Sequence, residues 1–343
     1  LNLIVHSSNV KKYGDRMTRI YRRPHLVTSV AVIGCVLLSG AAVAQTYPFK
    51  PIRMVVAQST GGNADFVARI FAQGLSDRLS QQVVVDNRPG GAGIIAAEMV
   101  ARASPDGYTL LLAPTGFGIN PALYPKLPYD PQRDFAPVSL LAASSAVIVV
   151  NPALQVKTVG DLIAMAKAQP GKLHFGSSGM AAANHLAGEL FNSMAGVNIV
   201  HVPYKGAPTA ITDLVGGRIQ VMFASPPSVM ALVRSGKLRA VATAGTKRAA
   251  QLPDVPTVIE SGVPGYQNTV WQALLVPART PQAVIARLHK EVADIAQQPD
   301  VRERLLRDGS EAIASTPKEL GEHLSGEISR WTKLVKSIGL KVE

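Results

Sequence analysis

The chain has 343 residues, 47% of them hydrophobic and 17% charged, which excludes a disordered polypeptide and suffices for one large domain or two of ordinary size. Its formal net charge is +12, but residues 1–44 hold six of the 35 Lys and Arg and one of the 23 acids, leaving 29 basic residues against 22 acidic ones. Those 29 are scattered with no run of five, which argues against a nucleic-acid surface; they make a mild positive field suited to small anions, or simply a basic solvated face.

The first segment with a pattern is "MTRIYRRPHLVTSVAVIGCVLLSGAAVA", Met17 to Ala44. Arg19, Arg22 and Arg23 form a basic start, Leu26 to Leu38 an apolar core, and Ala42-Val43-Ala44 a small-x-small cleavage site. This predicts a secretory signal cleaved after Ala44, and hence a periplasmic protein, with the residues before Met17 as an upstream extension. A membrane anchor fits less well, because the apolar run is short, interrupted by Thr28, Ser29 and Gly34, and followed by no basic stop-transfer cluster. Cys35, in "VIGC", resembles a lipoprotein box, but the apolar "VLLSGAAVA" after it ranks a lipid tether second. Cleavage after Ala44 removes the only cysteine, so no disulfide, thiolate nucleophile or cysteine metal site is expected.

From residue 52 onward, strand-like and helix-like stretches alternate. "IRMVVA" precedes a helix over about 64–79, where Phe66, Val67, Ile70, Phe71, Leu75 and Leu79 share a face. "QQVVVDN", the helix "AGIIAAEMVARA" and the strand "YTLLLA" follow, the last entered through the turn "SPDG". A proline-rich crossing segment, "NPALYPKLPYDPQRDFAPV", leads to the strand "AVIVVN" and the helix "TVGDLIAMAKAQ", with Thr158 as its cap. "LHFGSSG", "NIVHVPY", "IQVMFAS" and "LRAVATAG" are further strands, interleaved with the helices "NHLAGELFNSMAG", "APTAITDLVGG" and "SVMALVRSG". "WQALLVPA" returns, and two amphipathic helices close the chain. Apolar runs with little alternation predict parallel strands buried on both faces. Two α/β sets suggest two lobes around a cleft, with the strand-to-helix junctions of both facing it.

Those junctions are rich in small residues. In "VVAQSTGGNADFVARIF", Gly61 and Gly62 let the backbone turn tightly and approach a ligand, and Asn63 is expected to cap the helix. The unpaired N–H groups of the first helical turn, with the positive end of the dipole, make a seat for an anion. An ordinary capped turn is the favoured reading of this junction in isolation. The pattern recurs, however: "FGSSGMAAANHLAGE" offers Ser177, Ser178, Gly179 and Asn184, "YKGAPTA" offers Gly206 before Pro208, and "APTGFG" offers Thr115 and Gly116. Several donor-rich, chemically inert junctions point to binding.

Catalytic readings fit less well. "GGAGIIA" matches G-x-G-x-x-A, but "DNRPG" separates it from its strand, against a dinucleotide fingerprint. "GSSGM" lacks the closing glycine of a nucleophile elbow. His174, His185 and His201 have no partner at metal-ligand spacing, so no metal is expected. The enzyme alternative is a hydrolase or lyase using Asp65 with His185 or His201, although an acid in a first helical turn needs no catalytic role.

At these residues the chain resembles the extracytoplasmic solute receptors of the tripartite tricarboxylate transporter family, the Bug proteins. The likeness runs over 46–343 and rests on "GGNADFVAR", "VVVDNRPGGAGIIAAEMVARASPDGYTLLLA", "INPALYPKLPYDPQRDFAPVSLLA", "HLAGELF", "VPYKG" and "LPDVPTVIESGVPGY", in order. It implies a type II periplasmic-binding-protein fold, α/β, with two lobes and a ligand cleft: 46–142 and 272–343 as one lobe, 143–271 as the other, joined by strands near 138–150 and 266–276. It implies a small organic carboxylate (a di- or tricarboxylate, an acidic amino acid or an aromatic acid) held by main-chain amides and bridging waters. Carried over by motif, the site is Gly61, Gly62, Asn63, Ala64 and Asp65 in the first lobe and Ser177, Ser178, Asn184 and Gly206 in the second, with Ser225 a weaker member. It implies a cofactor-free, non-catalytic monomer that delivers its ligand to small and large membrane subunits; presentation to a membrane sensor kinase is the other use. The chain departs from the family pattern in the first loop. Ala57-Gln58 stands where Pro-Phe is common, Thr60 where proline is, and Ala64 where Ser or Thr is, which changes the pocket's polarity.

Overall fold

A computed structural model describes residues 47–340; the signal segment, Cys35 and the cleavage site after Ala44 lie outside the described residues. Two sheets organise the chain. The first contains β1 (Ile52–Val56), β2 (Val83–Asn87), β3 (Thr109–Pro114), β4 (Phe135–Ser145), β10 (Thr269–Pro277) and β11 (Glu311–Ala312), in the order β11-β4-β10-β3-β1-β2. The second contains β5 (Val147–Val150), β6 (His174–Ser177), β7 (Val200–Pro203), β8 (Val221–Ala224) and β9 (Arg239–Thr243), in the order β7-β6-β8-β5-β9.

The expected parallel pairing holds for β1 with β2 and β3, and for β6 with β7 and β8. It fails for β4, β5 and β10, which pair antiparallel with their neighbours. These are the strands that pass between sheets, and a chain that leaves a sheet and comes back must run against the strands it joined. β4 begins within the proline-rich crossing and continues into the stretch near 138–150 where a joining strand is expected. Pro137 and the run of serine and alanine hide where the strand starts, and Pro137 is tolerated beside an irregularity in its ladder with β10.

Both sheets are covered on both faces, and the alternation of side chains shows it. In β1, Ile52, Met54 and Val56 join one apolar cluster while Val55 joins another. In β8, Val221 and Phe223 face one layer and Met222 and Ala224 the opposite one. Helix α1 (Asn63–Leu79) supplies Val67, Ile70, Phe71, Leu75 and Leu79 to the first of these clusters, as a 3.6-residue period requires. Burying each such side chain contributes roughly 1.5–3 kcal/mol. The remaining helices are α2 (Ile94–Ala101), α3 (Gly116–Leu123), α4 (Val159–Ala168), α5 (Ala183–Ala195), α6 (Ala207–Val215), α7 (Pro226–Arg234), α8 (Gln282–Ala296), α9 (Pro299–Arg307) and α10 (Pro317–Ile338).

The sheets are joined where β4 becomes β5 and where β10 begins. Ala146 N–H donates to the Asn268 carbonyl at 3.0 Å, Asn268 N–H to Ala244 at 2.9 Å, and Ala244 N–H to Ala146 at 2.7 Å. A separate apolar cluster spans the two lobes: Ile119 and Leu123 of α3 and Trp331, Leu334 and Val335 of α10 pack with Ala181 and Leu186 from the second lobe. No helix among the described residues is long and apolar enough to cross a membrane.

Candidate functional site

The carboxyl ends of β1 and β3 in one lobe and of β6 and β8 in the other open onto a common cavity of about 790 Å³. Its first-lobe wall is the loop from Ala57 to Asn63, the glycine turn Pro89–Gly93, and the stretch from Pro114 along α3 to Tyr124. Its second-lobe wall is Ser178 to Ala183, Ala207 and Pro208, and Ser225 with Pro227 and Ser228; Val270 and Gln272 of β10 complete it. The N-termini of α1, α3, α5, α6 and α7 therefore converge on one space. No Asp, Glu, Lys, Arg or His side chain lines it, so the charge presented to an occupant is that of backbone N–H groups and helix dipoles.

None of these five helices has a side-chain bond at its N-cap. At α1 the cap position is Gly62, not Asn63 as expected; Asn63 is already helical, and neither polar atom of its amide has a partner. The Ala64 N–H is taken instead by Gln58 Oε1 at 2.9 Å. At α7, Pro226 and Pro227 remove two donors from the first turn, leaving the hydroxyls of Ser225 and Ser228. Gly93, at φ 83°, lies so near the β1 loop that a Cβ would come within 3.1 Å of Ala57 Cβ; only glycine brings this turn that close.

Gly61, Gly62, Asn63, Thr115, Gly116, Ser178 and Ser225 line the cavity. Ala64, Asp65, Ser177, Asn184 and Gly206 do not, and each has a physical reason. Ala64 is wholly buried with its N–H engaged. Asp65 is 3% exposed and turned inward, accepting the Gly61 N–H at 2.9 Å and pairing with Arg69 at 3.0 Å. Burial raises its carboxyl pKa, but hydrogen bonds from Arg69, Gly61 and Asn87 and the Arg69 charge outweigh that and hold it below the usual range. Asn184 Oδ1 reaches back to the Ser178 N–H at 3.2 Å and shapes the loop from behind. The Gly206 N–H is committed to the Ser178 carbonyl at 3.1 Å. The Thr115 hydroxyl, though at the wall, accepts the Trp271 N–H at 2.8 Å and anchors β10.

Ser177 and the two histidines form a tight cluster beneath the second-lobe loop. The Ser177 hydroxyl donates to the Gly179 carbonyl at 2.7 Å, so His201 Nε2, 2.6 Å away, is the donor toward Ser177. A histidine that donates to a serine is not its base. His185 Nδ1 accepts the Ala181 N–H at 2.9 Å, and the two imidazoles stack with centroids 3.7 Å apart. Burial and the neighbouring His185 push His201 down to about 4. None of these bonds joins either histidine to Asp65. Among the described residues, no group of His, Cys, Asp or Glu is placed to hold a metal ion.

Several wall residues escaped the sequence reading. Gln58 was noticed as a departure from a pattern that changes the pocket's polarity, with no contact assigned to it. The glycines of "GGAGIIA" were weighed only as a dinucleotide fingerprint, yet Gly90 and Gly93 stand at the wall. Asn120, Tyr124 and Gln272 carried no local signal; Gln272 arrives from a strand some two hundred residues downstream of the first loop. It is 1% exposed and its Oε1 has no partner.

Comparisons with known proteins agree on one group. The model of the tripartite tricarboxylate transporter family receptor, TctC, matches residues 67–340. Protein BugT of Bordetella pertussis is 35% identical over 322 residues, covering 92% of this chain and 98% of BugT. Among solved structures, Rpa4515 of R. palustris with adipate superposes with a TM-score of 0.77 at 35% identity, covering 86% of this chain and 99% of that one. MatC (Rpa3494) from Rhodopseudomonas palustris with bound malate gives 0.73 at 31% identity, covering 84% and 100%. The fold is the type II periplasmic-binding-protein fold, two α/β lobes with a ligand cleft between them.

Proposed function

Because the chain belongs to the tripartite tricarboxylate transporter receptor family, we propose that it is a periplasmic receptor that captures a small organic carboxylate without turning it over and hands it to the small and large membrane subunits of such a transporter. One observation carries this reading: five helix N-termini, none with a side-chain bond from its own N-cap residue, meet at a cavity with no Asp, Glu, Lys, Arg or His on its wall among the described residues. Each helix end stabilises an anion by about 0.3–1 kcal/mol when exposed and up to ~2 kcal/mol when partly buried. Several acting together on one carboxylate give useful affinity with no lysine or arginine. The wall also offers no carboxylate, imidazole or amine to take up a proton near neutral pH, which favours binding over catalysis. The adipate and malate of the two related structures are of the expected chemical kind.

The ligand contacts proposed are the main-chain N–H groups of Asn63, Thr115 and Gly116 in the first lobe and of Met180 and Ala183 in the second, with Ser225 and Gln272 as polar side chains; the Gly61, Gly62, Ser178, Gly179, Ala181 and Ala182 N–H groups are taken up within the loops themselves. Titration calorimetry against di- and tricarboxylates, acidic amino acids and aromatic acids tests the reading. Saturable one-to-one binding of at least one acid is expected, with heat that disappears for its amide or methyl ester. A folded protein that binds none of them sinks it.

A further inference from the structure

The side chain of Gln58 lies across the N-terminus of α1. Its Oε1 accepts the Ala64 N–H at 2.9 Å, and a Cβ placed on Gly62 would stand 2.7 Å from that oxygen and 2.9 Å from Cδ. The carboxamide thus rests directly on the glycine of the first helical turn. Its stalk is fixed as well, because Asn87 Nδ2 donates to the Gln58 carbonyl at 3.1 Å. With Oε1 committed to the helix, Nε2 is the end of the amide left for other partners, and Gln58 lines the cavity. The wall also carries a deeply buried carboxamide, Gln272, whose Oε1 is unpartnered and which makes the space polar at its β10 side.

A carboxamide oxygen and a carboxylate oxygen accept the same hydrogen bond. The seat at α1 therefore already holds an acceptor supplied by the chain itself. We propose that Gln58 sets the length of the ligand: it fills the first-lobe seat with its own amide oxygen and moves the anchoring donor out to Nε2, so the cavity takes a shorter carboxylate than it would with that seat empty. This rests on the carboxylate reading given above. The opposite end of the ligand meets the N-termini of α5 and α6, which the loop 178–183 and Ala207 bring to the wall, so the span between the two ends acts as a gauge. Because the amide is tied to Ala64 and packed against Gly62, it behaves as part of the wall.

The test is a chain-length profile. Affinities of the linear diacids from malonate to suberate are measured by calorimetry for the unaltered protein, Gln58→Asn and Gln58→Ala, with thermal unfolding to show that each variant remains folded. The tightest-binding length is expected to rise by about one methylene for Gln58→Asn and about two for Gln58→Ala, given the bond lengths removed, with the ratio of long-chain to short-chain affinity rising at least about tenfold for Gln58→Ala. Gln58→Glu, which keeps the length and adds a charge, is expected to weaken every diacid without moving the optimum. Saturable binding with an unmoved optimum in Gln58→Ala, including a uniform gain at every length, overturns the gauge and leaves the carboxylate reading standing. Absence of binding by any diacid to any of the proteins overturns both.

Discussion

Helices that begin at the cavity and helices that begin on the outside of the molecule are finished differently. Outside, α4 and α10 each start with a full capping box: Thr158 with Asp161, and Thr316 with Glu319. At the cavity the cap positions are Gly62, Thr115, Ala182, Gly206 and Ser225, and no side chain there accepts a backbone N–H of its own helix. A missing cap alone is not the mark, since α8 and α9 also start without one behind Pro281 and Gln298. What distinguishes the cavity is that small residues leave the ends open toward a shared space. A cap typically stabilises by ~1 kcal/mol, so five ends with no bond from their own N-cap side chain are a substantial local sacrifice, met only at α1 by the Gln58 amide. Packing offsets it, through the cluster of Trp331, Leu186 and Ile119 beside the cavity.

The comparison can be broken from its strongest point downward. Trp331→Ala removes a fully buried indole that also donates to Glu327 Oε2 at 3.1 Å; it is expected to cost about 3–5 kcal/mol in urea unfolding. Ala182→Asp puts a capping anion at the bare end of α5, where φ −63° and ψ 157° suit a cap residue. Its carboxylate occupies the seat in place of the ligand, so affinity is expected to fall at least about a hundredfold while the unfolding midpoint holds or rises by the equivalent of ~1 kcal/mol. Unchanged affinity in that variant would mean that the helix ends do not hold the ligand.

A third experiment concerns the histidines that support the second-lobe loop. His201 stays neutral in the folded chain down to about 4, whereas an unfolded histidine takes up its proton near pH 6.5. Protonation therefore favours the unfolded state: the contribution to stability is intact above about pH 6.5 and is lost as the pH falls toward 4. Urea midpoints measured across that window should decline in the unaltered protein and decline less in His201→Gln. The smallest effect is expected from Thr158→Ala on the outside, about 1 kcal/mol of stability with ligand affinity unaltered by calorimetry.

The position of the cavity loops was legible because Gly61, Gly62, Ser178 and Thr115 stand where strands hand over to helices, and such junctions recur along the chain. Which atoms of those loops face the space was not legible. Asp65, Ser177 and Asn184 belong to the right loops but point back into the protein to hold them, and a sequence does not show on which side of a turn a side chain falls. Gln58 and Gln272 were hidden for the opposite reason: an amide within a strand or just after one has no spacing signature, and its role emerges only when the lobes are assembled. Thr158 was readable as a cap because its box lies within four residues; the antiparallel pairing of β4 was not, because its partners are distant.

The junction around Ala146, Asn268 and Ala244 has a mechanical consequence. Two neighbouring crossings cross-linked by main-chain hydrogen bonds form a ribbon, and a ribbon bends or twists far more readily than it shears or stretches. Opening and shutting should then follow a single swing about one axis, returning the same walls to the same facing positions at every cycle. A gauge built from opposing walls keeps its calibration only under such a constraint.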